Sequence, residues 1–278
     1  MNELPMPETG AMLAWLGQAG FLIAMEGQRI VVDAYLSDSL AEKYRGKVFP
    51  HIRMMPPPIA PASLQEIDWL LCTHGHTDHM DPGTIPTLLA ANPDCKVVAP
   101  RSEAEKAIDR GVPRKRLYLL DAGETLNFGG IEVLATAAAH EKLERDTYGN
   151  HLYLGYVLSS NTVTVWHSGD TIPFAGLQDQ LQGINIDLAL LPINGRDGHR
   201  AAKGVPGNLT VDEALELTDA ISAGALICHH YGMFEFNTAD PAEALQAIDQ
   251  ASISADVQLA QISQAYTVLP NAVNRSSR

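Results

Sequence analysis

The sequence predicts an α/β fold made of two similar halves, each a β-sheet covered by helices. Two observations carry this expectation. Apolar runs of strand length open the chain, give way to strands alternating with amphipathic helices, and the same order then repeats. A chain of 278 residues with 46% apolar content can also bury one substantial core, or two fused halves of one. The chain therefore reads as a single domain over residues 1–278, with a polar tail from about 270 to 278.

The elements follow in order. Residues 11–16 and 21–25 are apolar runs around Gly17-Gln18-Ala19-Gly20, and 29–32 follows Glu26-Gly27, an opening antiparallel meander that ends at Asp33. Residues 46–63 hold five prolines with Met54-Met55 and His51, a long irregular loop of the kind that works as a lid. Residues 69–73 form a buried strand and 83–91 a helix closed by Asn92-Pro93. A strand at 96–99 precedes a helix at 102–110, with Ser102 as N-cap, Glu105 at the capping-box offset and Gly111 as the stop. Residues 117–120, 124–128 and 131–137 are strands, and 153–158 with 162–167 form a hairpin through Ser159-Ser160-Asn161. The chain continues with a short strand at 188–191 and a helix at 211–221, capped by Thr210 with Glu213 three residues on. A buried strand at 225–228 and a helix at 241–252 complete the order.

Nineteen basic residues against 33 acidic give a net charge of −14 and a pI near 5.0. That balance argues against nucleic acid, whose phosphates demand clustered Lys and Arg, and against an anionic membrane surface. No run of about 18 apolar residues provides a spanning helix. The start, Met1-Asn2-Glu3-Leu4-Pro5, lacks the basic opening of a secretory signal. Cys72, Cys95 and Cys228 are odd in number and scattered, which is no disulfide framework, and Cys72 and Cys228 read as small buried hydrophobes. A cytoplasmic protein with a small-molecule substrate is expected, with homo-oligomerisation open.

Chemistry concentrates at Thr73-His74-Gly75-His76-Thr77-Asp78-His79, directly after the apolar Trp69-Leu70-Leu71-Cys72. His74 and His76 can converge on one cation, while Asp78 and His79 reach a second. Two neighbouring cations generate hydroxide at neutral pH and hold a reacting oxygen beside it. Three later strands also end in metal-competent residues. His140 follows a run of small residues at 134–139. Asp170 follows Val165-Trp166-His167-Ser168-Gly169, where the glycine lets backbone and metal approach closely, and His229-His230 follow Leu226-Ile227-Cys228. Strand ends at one sheet edge are where rigid elements present site residues.

Taken together, His74-x-His76-x-Asp78-His79, His140, Ser168-Gly169-Asp170 and His230-Tyr231-Gly232 resemble the metal-ligand series of the metallo-β-lactamase superfamily, over roughly residues 11–235. Trp15-Leu16-Gly17-Gln18-Ala19-Gly20-Phe21, Trp166-His167-Ser168-Gly169-Asp170-Thr171 and Leu191-Pro192-Ile193-Asn194-Gly195-Arg196 resemble the branch that includes L-ascorbate-6-phosphate lactonase. The resemblance implies a four-layer αββα sandwich with the site at one edge of the sheets. It implies His74, His76 and His140 on one cation, Asp78, His79 and His230 on the other, and Asp170 bridging both. Two divalent ions, Zn²⁺ or Mn²⁺, suit such an all-nitrogen-and-oxygen set. The family's last ligand directly precedes Tyr-Gly, which selects His230; His229 on an extended strand points the opposite way.

The implied activity is metal-dependent hydrolysis of a lactone or other ester of a small anionic substrate, phosphorylated sugars among them. Asp78 would be the catalytic residue that orients the hydroxide. Hydrolysis of a phosphodiester is the alternative, and a metal-binding protein without catalysis the third reading. A redox protein of this fold resembles H-x-E-x-D-H, whereas His76 stands where the glutamate would be. For the substrate, the loop Arg196-Asp197-Gly198-His199-Arg200-Ala201-Ala202-Lys203 concentrates basic residues in an acidic chain. Arg196 is expected to face the site and grip a phosphate or carboxylate, with Arg200, Lys203 and His229 as further candidate contacts. Asp33 is expected to cap a turn or orient a ligand histidine. His51 is expected at the surface, with a place at the mouth of the site as the alternative, and structural or surface roles are expected for His151, His167 and His199.

Overall fold

Alternation along the first strands sorts their apolar side chains onto two faces. On β1 (Ala11–Gly17), Leu13 and Trp15 join one buried cluster while Ala14 and Leu16 join another. On β3 (Gln28–Val32), Ile30 and Val32 likewise oppose Val31. A strand apolar on both faces must be covered on both sides. The computed structural model, which describes residues 4–269, meets this demand with two stacked sheets and helices outside each. The expected polar tail at 270–278 lies outside the described residues.

Each sheet has seven strands. The first contains β1, β2 (Gly20–Met25), β3, β4 (Trp69–Leu71), β5 (Lys96–Pro100) and β6 (Leu117–Leu120) in that spatial order. The second contains β7 (Thr125–Phe128), β8 (Ile131–Ala137), β9 (Leu154–Ser159), β10 (Thr164–His167), β11 (Leu188–Pro192), β12 (Ala225–His229) and β13 (Asp256–Leu259). The last strand, β14 (Ala265–Val268), returns to the first sheet and pairs with β1. Read from β14 or from β7, both sheets run through three antiparallel pairings and then three parallel ones. The repeated order in the sequence is thus a repeated topology.

Helices complete the four layers. Ile85, Leu88 and Leu89 of α2 (Ile85–Ala91, after the short α1, Ser39–Lys43) and Ala107 of α3 (Ala104–Asp109) pack on the outer face of the first sheet. The short α4 (Gly198–Ala201) precedes α5 (Val211–Ala220) and α6 (Pro241–Gln250), which cover the second sheet through Leu215, Leu217 and Ala244. The capping box expected at Thr210 and Glu213 is present.

Two helix starts differ from expectation. The helix expected from 83 begins at Ile85, because Asp81 Oδ1 accepts the Gly83 N–H at 2.9 Å and holds a turn there. The helix expected from 102 begins at Ala104 after a 3₁₀ turn at Arg101–Glu103. Ser102 caps nothing: its hydroxyl donates to the His151 carbonyl at 2.7 Å, and Glu105 pairs with Arg114 at 3.2 Å. Strands β13 and β14 and helices α1 and α4 were not foreseen; each has at most five residues, too few for a period to show. The proline-rich stretch is irregular apart from one 3₁₀ turn, Pro61–Ser63. The three cysteines are free and buried, and among the described residues no helix is long and apolar enough to cross a membrane.

Candidate metal centre

Asp33, which directly follows β3, anchors the turn that carries the histidine motif. Its Oδ1 accepts the Thr73 N–H at 2.8 Å and its Oδ2 accepts the Thr73 hydroxyl at 2.6 Å. The same Oδ2 accepts His79 Nδ1 at 2.8 Å. Since the Thr73 hydroxyl donates to Asp33, it accepts from His74 Nδ1 at 3.0 Å. His140 Nδ1 donates to the Gly207 carbonyl at 3.0 Å. With Nδ1 engaged on all three rings, each presents Nε2 to a common centre, the arrangement that orients metal-binding imidazoles.

That centre holds all seven residues singled out as ligands. Ligand atoms lie within 4.8 Å of one another in three groups: His74, His76 and His140; His74, His79 and Asp170; and Asp78, His79 and His230. Asp170 thus groups with a member of each of the two expected sets. Its Oδ2 lies 3.2 Å from His230 Nε2, 3.3 Å from His79 Nε2 and 3.5 Å from His140 Nε2. Buried polar atoms ordinarily find partners, yet His74 Nε2 and Asp170 Oδ1 have none. Orphaned nitrogen and oxygen donors converging on one point fit a divalent cation.

The electrostatics of the cluster suit the same role. Burial pushes His74 well below 6.5, His76 down to about 3, and lowers His140 as well, so these rings are neutral and ready to ligate. Burial alone would lower His79 too, but the carboxylates of Asp170, Asp33 and Asp78 outweigh it and hold this ring well above 6.5. Burial would raise Asp170, and the facing His230 and His79 instead hold it well below the usual carboxylate range.

Gly169 and Asp170 leave β10 through a left-handed turn, φ +65° at the glycine. A Cβ there would run into the Leu154 carbonyl oxygen, so the glycine serves backbone packing against β9 rather than approach of a metal. Gln18, in the β1–β2 turn, was not foreseen as a site residue. It is fully buried, and its Nε2 lies 2.8 Å from Asp78 Oδ2 and 3.2 Å from His230 Nε2. Its carbonyl accepts the His230 N–H and Trp15 Nε1, each at 2.9 Å. A φ of +52° at a residue that is not glycine was invisible in the sequence, although a polar residue between two fully apolar strands was a signal.

A cavity of about 590 Å³ opens onto the cluster, with His76, Asp78, His140, Asp170 and His230 in its lining. Lys43, Lys47 and Lys203 line it as well, and the proline-rich loop supplies Phe49 and His51 to its wall. His51 is therefore a cavity residue, not a surface one. The basic loop departs from expectation. Arg196 does not line the cavity: it makes a bidentate pair with Glu213, both contacts 2.6 Å, and donates to the Asn208 carbonyl at 3.1 Å. Arg200 is likewise outside the lining, bound to Asp197 at 2.5 Å, Asn237 Oδ1 at 2.6 Å and the Asn194 carbonyl at 3.1 Å. Local acceptors have satisfied both guanidinium groups. His229 is also no substrate contact, because strand alternation turns it into the core, 5.0 Å from the His167 ring and 5.4 Å from Phe21. His167 donates Nε2 to the Ala19 carbonyl at 2.9 Å and His151 pairs with Asp121 at 2.8 Å, both structural. His199 packs edge-on against Phe49.

Residues 28–231 match the family model described as the Beta-lactamase superfamily domain. The chain belongs to this superfamily. Among relatives of this superfamily member, a UPF0173 metal-dependent hydrolase of Aeropyrum pernix is 25% identical over 266 residues, covering 92% of this chain and 97% of its own. A UPF0173 metal-dependent hydrolase of Pelotomaculum thermopropionicum is 28% identical over 256 residues, covering 89% and 95%. The isothiocyanate hydrolase from Delia radicum gut bacteria superposes with a TM-score of 0.74 over 93% of this chain and 99% of that one, at 17% identity. The four-layer αββα sandwich is thus this superfamily member's fold.

Proposed function

We propose that the protein is a metal-dependent hydrolase of esters or lactones that carry an anionic group. The observation behind this reading is the convergence of seven His and Asp side chains, several with unpartnered inward atoms, on a cavity bordered by three lysines. Two divalent cations, Zn²⁺ or Mn²⁺, held by His74, His76, Asp78, His79, His140, Asp170 and His230 would supply hydroxide at neutral pH and polarise the carbonyl.

The protein's own groups do the remaining work. Asp33, Thr73 and Gly207 fix the ring tautomers, and Gln18 holds Asp78 through Oδ2. Asp78 is the more open of the two carboxylates, 17% exposed against 3% for Asp170, which supports a role in orienting the hydroxide. Among the described residues Lys43, Lys47 and Lys203 have no carboxylate within ion-pair distance. In a chain of net charge −14, three lysines gathered on one cavity favour an anionic substrate. They replace Arg196 and Arg200 in that role. The names of the relatives, metal-dependent hydrolase and isothiocyanate hydrolase, support hydrolytic use of this fold. Buried free thiols fit a cytoplasmic location.

The test is a substrate panel of sugar-phosphate lactones, acyl-homoserine lactones and a generic phosphodiester, assayed with metal content measured on the same sample. Lactone or ester turnover that Asp78→Ala abolishes, with the variant folded, is the expected result. Turnover of the phosphodiester alone would move the assignment to a phosphodiesterase.

A further inference from the structure

We propose that the cavity contains an apolar subsite beside the metal cluster, and that its ligand is an amphipathic anion with an alkyl or aryl arm. The proposal rests on the hydrolase reading for the ligand's reacting head, but not for its arm. The subsite wall comes from the segment after α1 and the segment after β12. The His51 ring stacks on Tyr44 at 4.1 Å and meets the edges of Phe234 at 5.0 Å and Phe236 at 4.8 Å. Phe49 stacks on Phe236 at 4.7 Å. Burial lowers His51 below 6.5, so this ring is neutral at pH 7 and acts as part of the aromatic surface.

This wall is preformed. Arg53 Nη1 donates to the Tyr35 and Ser37 carbonyls at 3.0 and 3.2 Å and its Nε to the Met55 carbonyl at 3.1 Å. The Met54 N–H reaches the Met233 carbonyl at 2.8 Å. Val48, also in the cavity lining, is 72% exposed, an apolar side chain left for a ligand to cover. The aromatic part of the wall offers a sugar few acceptors: Asn237 Oδ1 is already taken by Asn194 and Arg200. A polyhydroxylated arm would lose its water against such a wall without recovering hydrogen bonds.

The cations adjoin the apolar surface. Lys203 Nζ lies 5.4 Å over the Phe49 ring and Lys43 Nζ 5.2 Å over Tyr44. Such stems lie along an aromatic face while the ammonium stays wet, which pairs a negative group on the ligand with a neighbouring apolar arm. The volume of about 590 Å³ exceeds the need of the smallest esters and falls in the range of pockets for larger organic ligands.

The experiment measures equilibrium binding of linear carboxylates, acetate through decanoate, to the metal-loaded and metal-stripped protein, beside hydrolysis of the matching esters. Dissociation constants are expected to fall roughly two- to fourfold per added methylene until the cavity is filled. Phe49→Ala is expected to weaken octanoate about fivefold and leave acetate unchanged, and Val48→Ser to act in the same direction. Leu245→Ala, on an exposed face of α6 outside the cavity lining, is expected to change neither. A flat chain-length series, or one that neither Phe49→Ala nor Val48→Ser alters, would overturn the subsite. A chain-length series with no turnover of these esters or of any member of the lactone and phosphodiester panel would leave the subsite standing and sink the hydrolase reading instead.

Discussion

Asp33 receives three donors on one carboxylate, and all three govern the histidine motif. Asp33→Asn keeps the shape and removes the charge that orients His79. Metal affinity is expected to fall about 10- to 100-fold, read by competition with a coloured chelator, while circular dichroism stays unchanged. The same ring sets a second outcome. His79 is held above its ordinary pKa in the metal-free protein, so it carries a proton at pH 7 that ligation must expel. His74, His76 and His140 are shifted the other way and have no such proton to lose. Metal uptake should therefore release protons at neutral pH, and affinity should rise with pH up to the His79 pKa; calorimetry in buffers of different ionisation enthalpy measures both. His74, His76, Asp78 and His79 were legible because metal-competent side chains crowd one turn, whereas His140, Asp170 and His230 were legible only through the resemblance to the metallo-β-lactamase series. Gln18 was not, because any residue type that forms hydrogen bonds could have filled its place. The basic loop misled for a related reason: a sequence shows that Arg196 is charged but not that Glu213 neutralises it.

Elements were legible in proportion to how apolar they are. Strands β1 to β3 are buried nearly throughout and announce themselves as unbroken apolar runs. Strands β13 and β14 are half-exposed, four residues long, and acquire their identity only by pairing with β12 and β1. Caps divide the same way. The Thr210 box lies in the first turn of a ten-residue helix with a clear apolar face, and both its bonds form. Thr210→Ala is expected to cost about 1 kcal/mol, measured as a lower urea midpoint with unchanged m-value. At Ser102 the pattern was equally good, but the hydroxyl found the His151 carbonyl across the fold, a partner 49 residues away. Ser102→Ala should therefore leave α3 helicity unchanged in the same measurement and loosen the contact between the 3₁₀ turn and the segment around His151.

At the scale of the molecule, the candidate centre sits where the two halves meet. His74, His76, Asp78 and His79 come from the first half, and His140, Asp170 and His230 from the second. A bound ion therefore ties the halves together, and an agent that binds only the folded form raises its stability by mass action. Stripping the metal with a chelator is expected to lower the Tm, and adding Zn²⁺ or Mn²⁺ to restore it; a Tm indifferent to metal would contradict ligation across the halves. The edge strands make a second tie. The strand that ends the first half, β7, extends the sheet of the second, and the strand that ends the second, β14, extends the sheet of the first. The two halves are thus clasped like linked hands, each gripping the other's outer finger. Parting them would undo both grips at once, so the cavity beside Phe49 and His51 reaches the cluster without loosening either.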